Sequence, residues 1–118
     1  MQMRSLRKIA VLIAALGAGA VWAHHGWTGY DNSKTLTLSG VIRESGYEHP
    51  HGFIRLETSE KTWRAILAPP SRMESRGLAK EALAPGTKAT VVGYPHRTTA
   101  DEMRAERITI DGKTTELR

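Results

Sequence analysis

Five histidines and no cysteine carry most of the chemistry open to this 118-residue chain. They fall in three places: His24-His25, His49-Pro50-His51 and His96. Imidazole nitrogens suit Cu(II), Zn(II) and Ni(II), and a thioether such as that of Met103 shifts the preference toward Cu(I). Residues two apart in extended backbone point to the same side, so His49 and His51 are expected to present two rings to one point. A His24 freed at its amino end would add a chelate of its α-amine and ring Nδ1. That amine, with a reference pKa of about 7.7–8.0, gives up its proton readily to a metal. The expected ligand set is His49 and His51 first, then His24, His25 and His96, with copper as the first metal and zinc as the second. A plainer reading stands beside it. A His-x-His in a loop is often a solvated turn, Pro50 can simply set the path into a strand, and His96 and Met103 read equally as surface and strand residues.

The aromatic residues offer a second chemistry. Trp27, Tyr30, Tyr47, Phe53, Trp63 and Tyr94 could stack on a sugar or peptide, with Tyr47 and Tyr94 flanking the histidine loops and Trp63 reading as core. The arginines are spread out, and Arg64 and Arg104 read as outward-pointing residues on a solvated strand face. A single-strand nucleic-acid platform needs basic residues clustered with aromatics, so no nucleic-acid partner is expected. Nor does the chain show a nucleophile elbow, a paired acid or a Gly-rich phosphate loop. Asp101, Glu102 and Glu48 read as solvated loop carboxylates, and the expectation is a non-enzyme.

Positioning these residues falls to one small domain behind a leader. Residues 1–23 have a basic start at Arg4, Arg7 and Lys8, an apolar run from Ile9 to Ala20, and small residues at Ala18-Gly19-Ala20 and Val21-Trp22-Ala23. This is the three-part pattern of a secretory signal, with cleavage expected after Ala23 and Ala20 as second choice. The run is shorter than the roughly 20 apolar residues that cross a bilayer, so no membrane anchor is expected after cleavage and the domain is assigned to the periplasm. The signal holds 3 of the 17 lysines and arginines, which leaves 14 against 12 acids in the mature chain, a net +2. The basic pI near 9.9 therefore belongs mainly to the leader and does not point to a polyanionic partner.

After an irregular arm over residues 24–34, one β domain is expected over 35–118. Leu36, Leu38 and Ile42 alternate along a first strand with a bend or bulge at Gly40. Residues 52–58 and 61–67 read as a hairpin joined at Ser59-Glu60. Pro69-Pro70 ends it, and Ser71 with Glu74 reads as a capping box opening a short helix that stops at Gly77. Residues 88–94 and 103–110 are the fourth and fifth strands, the latter closed by Asp111-Gly112. The order β-β-β-α-β-β suits a mainly β, five-stranded OB-like barrel with one short helix between strands three and four, since closure removes exposed edges. A small open sandwich is the alternative. In the barrel, the loops holding His49, His51 and His96 share one end.

Several pieces in this order resemble a family of small exported bacterial proteins of unknown function. They are Ala23-His24-His25 at the signal junction, His49-Pro50-His51, Trp63, Pro70 with Arg76-Gly77, Leu83-Ala84-Pro85-Gly86, and Val91-Val92-Gly93-Tyr94. Members are similar to Asn-Pro-His at positions 49–51, so His51 matches and His49 departs. The resemblance covers nearly the whole mature chain and implies export and a β-barrel, with no activity. The reading reached from the residues is a periplasmic metal-binding protein in storage, delivery or resistance. A metal-free module for a peptide, glycan or envelope protein, working through the same loops, is the alternative.

Overall fold

The computed structural model describes residues 25–118, of His25 the backbone alone. A single helical turn, α1 (His25–Thr28), precedes the strands. The first of these, β1 (Leu36–Gly46), is long enough to serve two neighbours. Its first half pairs with β4 (Lys88–Pro95) and its second half with β2 (Phe53–Glu57), both antiparallel. The division falls near Gly40, where a Cβ would collide with the Glu57 carbonyl. Only glycine allows the backbones to approach that closely, and the register shifts just after it, between Ile42 and Glu44. The bend expected at Gly40 is thus realised as a close crossing followed by a bulge.

The chain turns from β2 into β3 (Thr62–Ile66), as the alternation predicts. Ile54 and Leu56 are fully buried while Arg55 and Glu57 are exposed. β5 (Glu102–Ile110) then pairs antiparallel with β4 and parallel with β3, through Arg64 opposite Glu102, Ala65 opposite Met103 and Ile66 opposite Arg104. The β3–β5 pairing closes a five-stranded barrel. Its interior holds Ile42, Ile54, Leu56, Ala65, Val91, Met103, Ala105 and Ile108, all at 1 % exposure or less.

Between β3 and β4 lie α2 (Pro70–Ser75) and a 3₁₀ turn over Lys80–Leu83. They add Met73 and Leu83 to the same core, and the link between them adds Leu78. The capping box expected at Ser71 and Glu74 does not form. Pro69 occupies the N-cap with no side-chain bond, and Pro70 opens the helix. A proline there needs no amide partner and already has helical φ, so the preceding Pro-Pro, rather than the serine, sets the start. Gly77 ends the segment at φ 83° as expected.

A sixth strand, β6 (Lys113–Glu116), pairs with β5. Asp111 and Gly112 both have positive φ, at 50° and 74°, the combination a two-residue hairpin turn requires. The Asp-Gly pair, expected to close the last strand, instead turns the chain into another. The strand beyond it is short and polar, with only Thr115 buried.

Candidate functional site

The arm has one helical turn, and beyond it only turns and a single bridge. Its backbone runs from the helical turn onto the loop between β4 and β5 and is fastened there. Tyr30 bridges to His96, Asp31 N–H donates to the Pro95 carbonyl (2.9 Å), and Arg97 N–H donates to the Gly29 carbonyl (2.8 Å). The Arg97 side chain adds a bond from Nε to the Thr28 carbonyl (3.1 Å). Trp27 lies under two guanidiniums, with the Cζ atoms of Arg104 and Arg118 at 4.4 and 4.5 Å from the ring, and its edge meets Tyr94 at 6.4 Å.

Between this arm and the barrel mouth lies a hollow of about 510 Å³, within the usual size of small-ligand sites. Four segments wall it: the arm through Gly26, Thr28, Gly29 and Tyr30; the β1–β2 loop through His51; β3 through Arg64 and Ile66; and the β4–β5 region through His96, Glu102 and Arg104. The parallel register of β3 and β5 sets Arg64 beside Glu102 and Ile66 beside Arg104. A hollow of equal size across β1 and β4 is lined largely by strand backbone and small side chains, with Lys88 and Asp111 as its charges.

Arg104 is the centre of the mouth. Alternation predicts that its side chain points into solvent, but only 6 % of the residue is exposed, because the arm covers the strand face that alternation assigns to water. Nη1 donates to the Gly26 carbonyl at 2.6 Å and Nη2 to His51 Nε2 at 3.2 Å. Nε is buried and has no partner. Among the described residues no carboxylate pairs with this guanidinium, and burial, with Arg72 and Arg118 nearby, pulls its pKa below the ordinary value. Tyr30 donates its hydroxyl to Glu102 Oε2 at 2.8 Å. Burial first, and that bond second, raise the phenol's pKa far above its usual value. Glu102 is therefore partnered, not the solvated loop carboxylate the sequence suggests.

The two histidines that line the hollow are fixed by their partners. Arginine only donates, so His51 Nε2 is an acceptor and any proton on that neutral ring sits on Nδ1. Burial, then the charges of Arg104 and Arg72, lower its pKa. His96 Nδ1 accepts from the N–H groups of Thr98 (3.1 Å) and Thr99 (2.8 Å), which leaves its Nε2 as the protonated nitrogen beside Gly29. To bind a metal, either ring must surrender these bonds.

The remaining candidates are placed as follows. His49 is exposed and lines a neighbouring hollow of about 400 Å³ together with Tyr47 and His51. Residues 47–52 form a loop with bends at His49 and Pro50, so the extended-chain argument that aims His49 and His51 at one point does not apply. His24 lies outside the described residues, as does the signal read over 1–23, and of His25 the structure gives the backbone at the rim beside Gly26. Met103 is wholly buried in the core. Tyr47 donates to the Leu78 carbonyl (2.6 Å) and Tyr94 to Glu106 (3.0 Å), so each hydroxyl ties down the fold. Sequence reasoning offers Trp27 and Tyr30 as stacking residues and reads Arg104 and Glu102 as solvated, but it misses the seat of Trp27 under Arg104 and the Tyr30–Glu102 pair. The available signal is an N-terminal arm with two large aromatic residues, which need a seat that only an outer barrel face can supply.

The sequence profile of a family of unknown function (DUF6152) matches residues 11–116. The chain belongs to that family. No curated protein matches it. Among solved structures, a complex of TiaS with a transfer RNA and ATP is similar, at TM-score 0.51 and 22 % identity over 75 % of this chain and 19 % of that one. A ZRD-deleted TiaS in complex with agmatine is similar at TM-score 0.53 and 21 % identity, over 74 % of this chain and 27 % of that one. This chain thus spans about a fifth to a quarter of those proteins, and the likeness is one of fold.

Proposed function

We propose that this protein is an exported, non-catalytic binding module that takes its ligand, free or as the exposed end of a larger partner in the cell envelope, in the hollow between arm and barrel mouth. The observation that carries this reading is Arg104. It is a buried cation, held by a carbonyl, an imidazole and an indole instead of a carboxylate, on the wall of a hollow that four chain segments build together. Burying an unpaired charge is expensive, and such expense concentrated in one concave site marks a place of function more often than of stability. A thermal-shift series on the mature protein with envelope-type compounds (acetylated dipeptides, uronic acids, neutral sugars) tests it. Occupancy of the hollow raises the unfolding temperature with ligand concentration, and a series with no rising member counts against the module.

A metal-bound state, with copper first and zinc second, is the other reading, in a storage, delivery or resistance role. One observation favours it: His51 and His96 both line the hollow, although among the described residues no three metal-ligating side chains come together. Cleavage after Ala23 would leave a free α-amine on His24. Cu(II) bound in the hollow must open the Arg104–His51 bond. Native mass spectrometry of protein beginning at His24, with one equivalent of Cu(II), separates the readings: retention under mild competition that is lost in His51→Ala supports the metal. Retention unchanged by His51→Ala and His96→Ala places copper elsewhere.

A further inference from the structure

We propose that the group recognised in the hollow is a carboxylate, received by Arg104 and Arg64; this rests on the hollow being the binding site. A guanidinium has five N–H donors. Arg104 commits one to Gly26 and one to His51 and leaves three, including the buried Nε–H without an acceptor. Arg64, on the neighbouring strand, has an exposed guanidinium stacked 4.5 Å over Phe53, and among the described residues no carboxylate pairs with it. His51 and His96 use their lone pairs on protein donors, so the hydrogens they retain make them donors as well. Tyr30 donates its only hydroxyl proton to one oxygen of Glu102, and that carboxylate keeps further acceptor sites.

The free side-chain donors of the wall outnumber its acceptors, of which Glu102 is the main one, and its fixed charges are two positive and one negative. That inventory matches a single negative charge with two acceptor oxygens. The planar fork of arginine fits such a group edge-on. Glu102 stands on the same wall and leaves it one net positive charge, which a single carboxylate neutralises. The Arg104 fork is also pre-organised by its stack on Trp27, so little freedom is lost on binding.

The carboxylate can belong to a free acid or to a peptide C-terminus, and the test separates them. In ¹⁵N-labelled mature protein the Arg104 Nε–H cross-peak is followed on titration with propionate, N-acetyl-alanyl-alanine, the C-terminal amide of that dipeptide, inorganic phosphate and Cu(II). Saturable shifts with either acid, roughly tenfold or more weaker with the amide, are expected. Propionate alone points to free acids and the dipeptide alone to peptide termini. Arg64→Ala, at an exposed position, should weaken the acid by about tenfold with only a small fall in the unfolding temperature from the lost stack on Phe53. An amide that binds as well as the acid, or a response to phosphate or Cu(II) alone, overturns the carboxylate while leaving the hollow as a site. No response to any probe overturns both.

Discussion

Replacing Trp27 by Ala should release the arm and leave the barrel standing. Two guanidiniums over the indole contribute about 0.5–2 kcal/mol each, toward the upper end for the desolvated Arg104. The edge contact with Tyr94 adds about 0.5–1.5 kcal/mol. Allowing for overlap among contacts to one ring, the loss is about 2–4 kcal/mol, which multiplies the open population of the arm by roughly 30 to 900. Three amides report this directly: on the arm, Tyr30 N–H to the Trp27 carbonyl and Asp31 N–H to the Pro95 carbonyl, and on the β4–β5 loop, Arg97 N–H to the Gly29 carbonyl. Hydrogen exchange in the variant should speed at these amides by that factor. Amides paired within the barrel, such as that of Ile42 to the Thr87 carbonyl, should keep their protection, because Trp27 is no part of the core cluster. Unchanged exchange at residues 30, 31 and 97 would show that the indole does not hold the arm. Equal acceleration at Ile42 would show that arm and barrel open as one unit.

Three further outcomes follow from other contacts. The depressed His51 pKa means that the unfolded chain binds the extra proton first, so stability should be full above the ordinary value of 6.5 and fall as the pH drops below it. His51→Gln, which keeps an acceptor for Arg104, should flatten that part of a urea-melt pH profile; an identical slope would remove His51 as its source. Gly93→Ala should destabilise by about 1–3 kcal/mol in denaturant melts, because the new Cβ meets the Arg104 carbonyl and the Ala105 Cα where the β4–β5 register shifts, whereas Gly86→Ala meets no neighbour and should suffer only from its φ of 93°. Glu102→Gln should lower the Tyr30 pKa in an ultraviolet titration, since the charge goes and burial stays; no movement would mean that burial acts alone.

The barrel was legible because its strands obey period two with one face wet. Ile54 and Leu56 against Arg55 and Glu57, and Leu36 and Leu38 against Thr37 and Ser39, announce their sides plainly. The helix was legible at its end, through Gly77, and misread at its start, where Pro69-Pro70 outweighs Ser71. Around the site the same rule misled. On β5, Met103, Arg104 and Ala105 are all buried in succession, because an arm far earlier in the chain covers the outward face. No local pattern reports such cover. Two of the histidine loops do meet at one end, as the barrel predicts, yet which ring faces which partner depends on the bends at His49 and Pro50 and on where Arg104 lands.

The docking of residues 26–31 onto 94–104 and Arg118 also fixes an order of events. Any chain that emerges amino end first, from a ribosome or through an export channel, presents the arm long before its seat exists. Local pairing of β1, β2 and β3 can proceed early, whereas the parallel β3–β5 closure and the arm's seat await almost the last residues, and contacts of such long sequence separation form slowly. Until then Trp27 and Tyr30 have nothing to cover them. The hollow is therefore a late product of folding: a chain truncated before β5 displays its histidines and aromatics but does not form it.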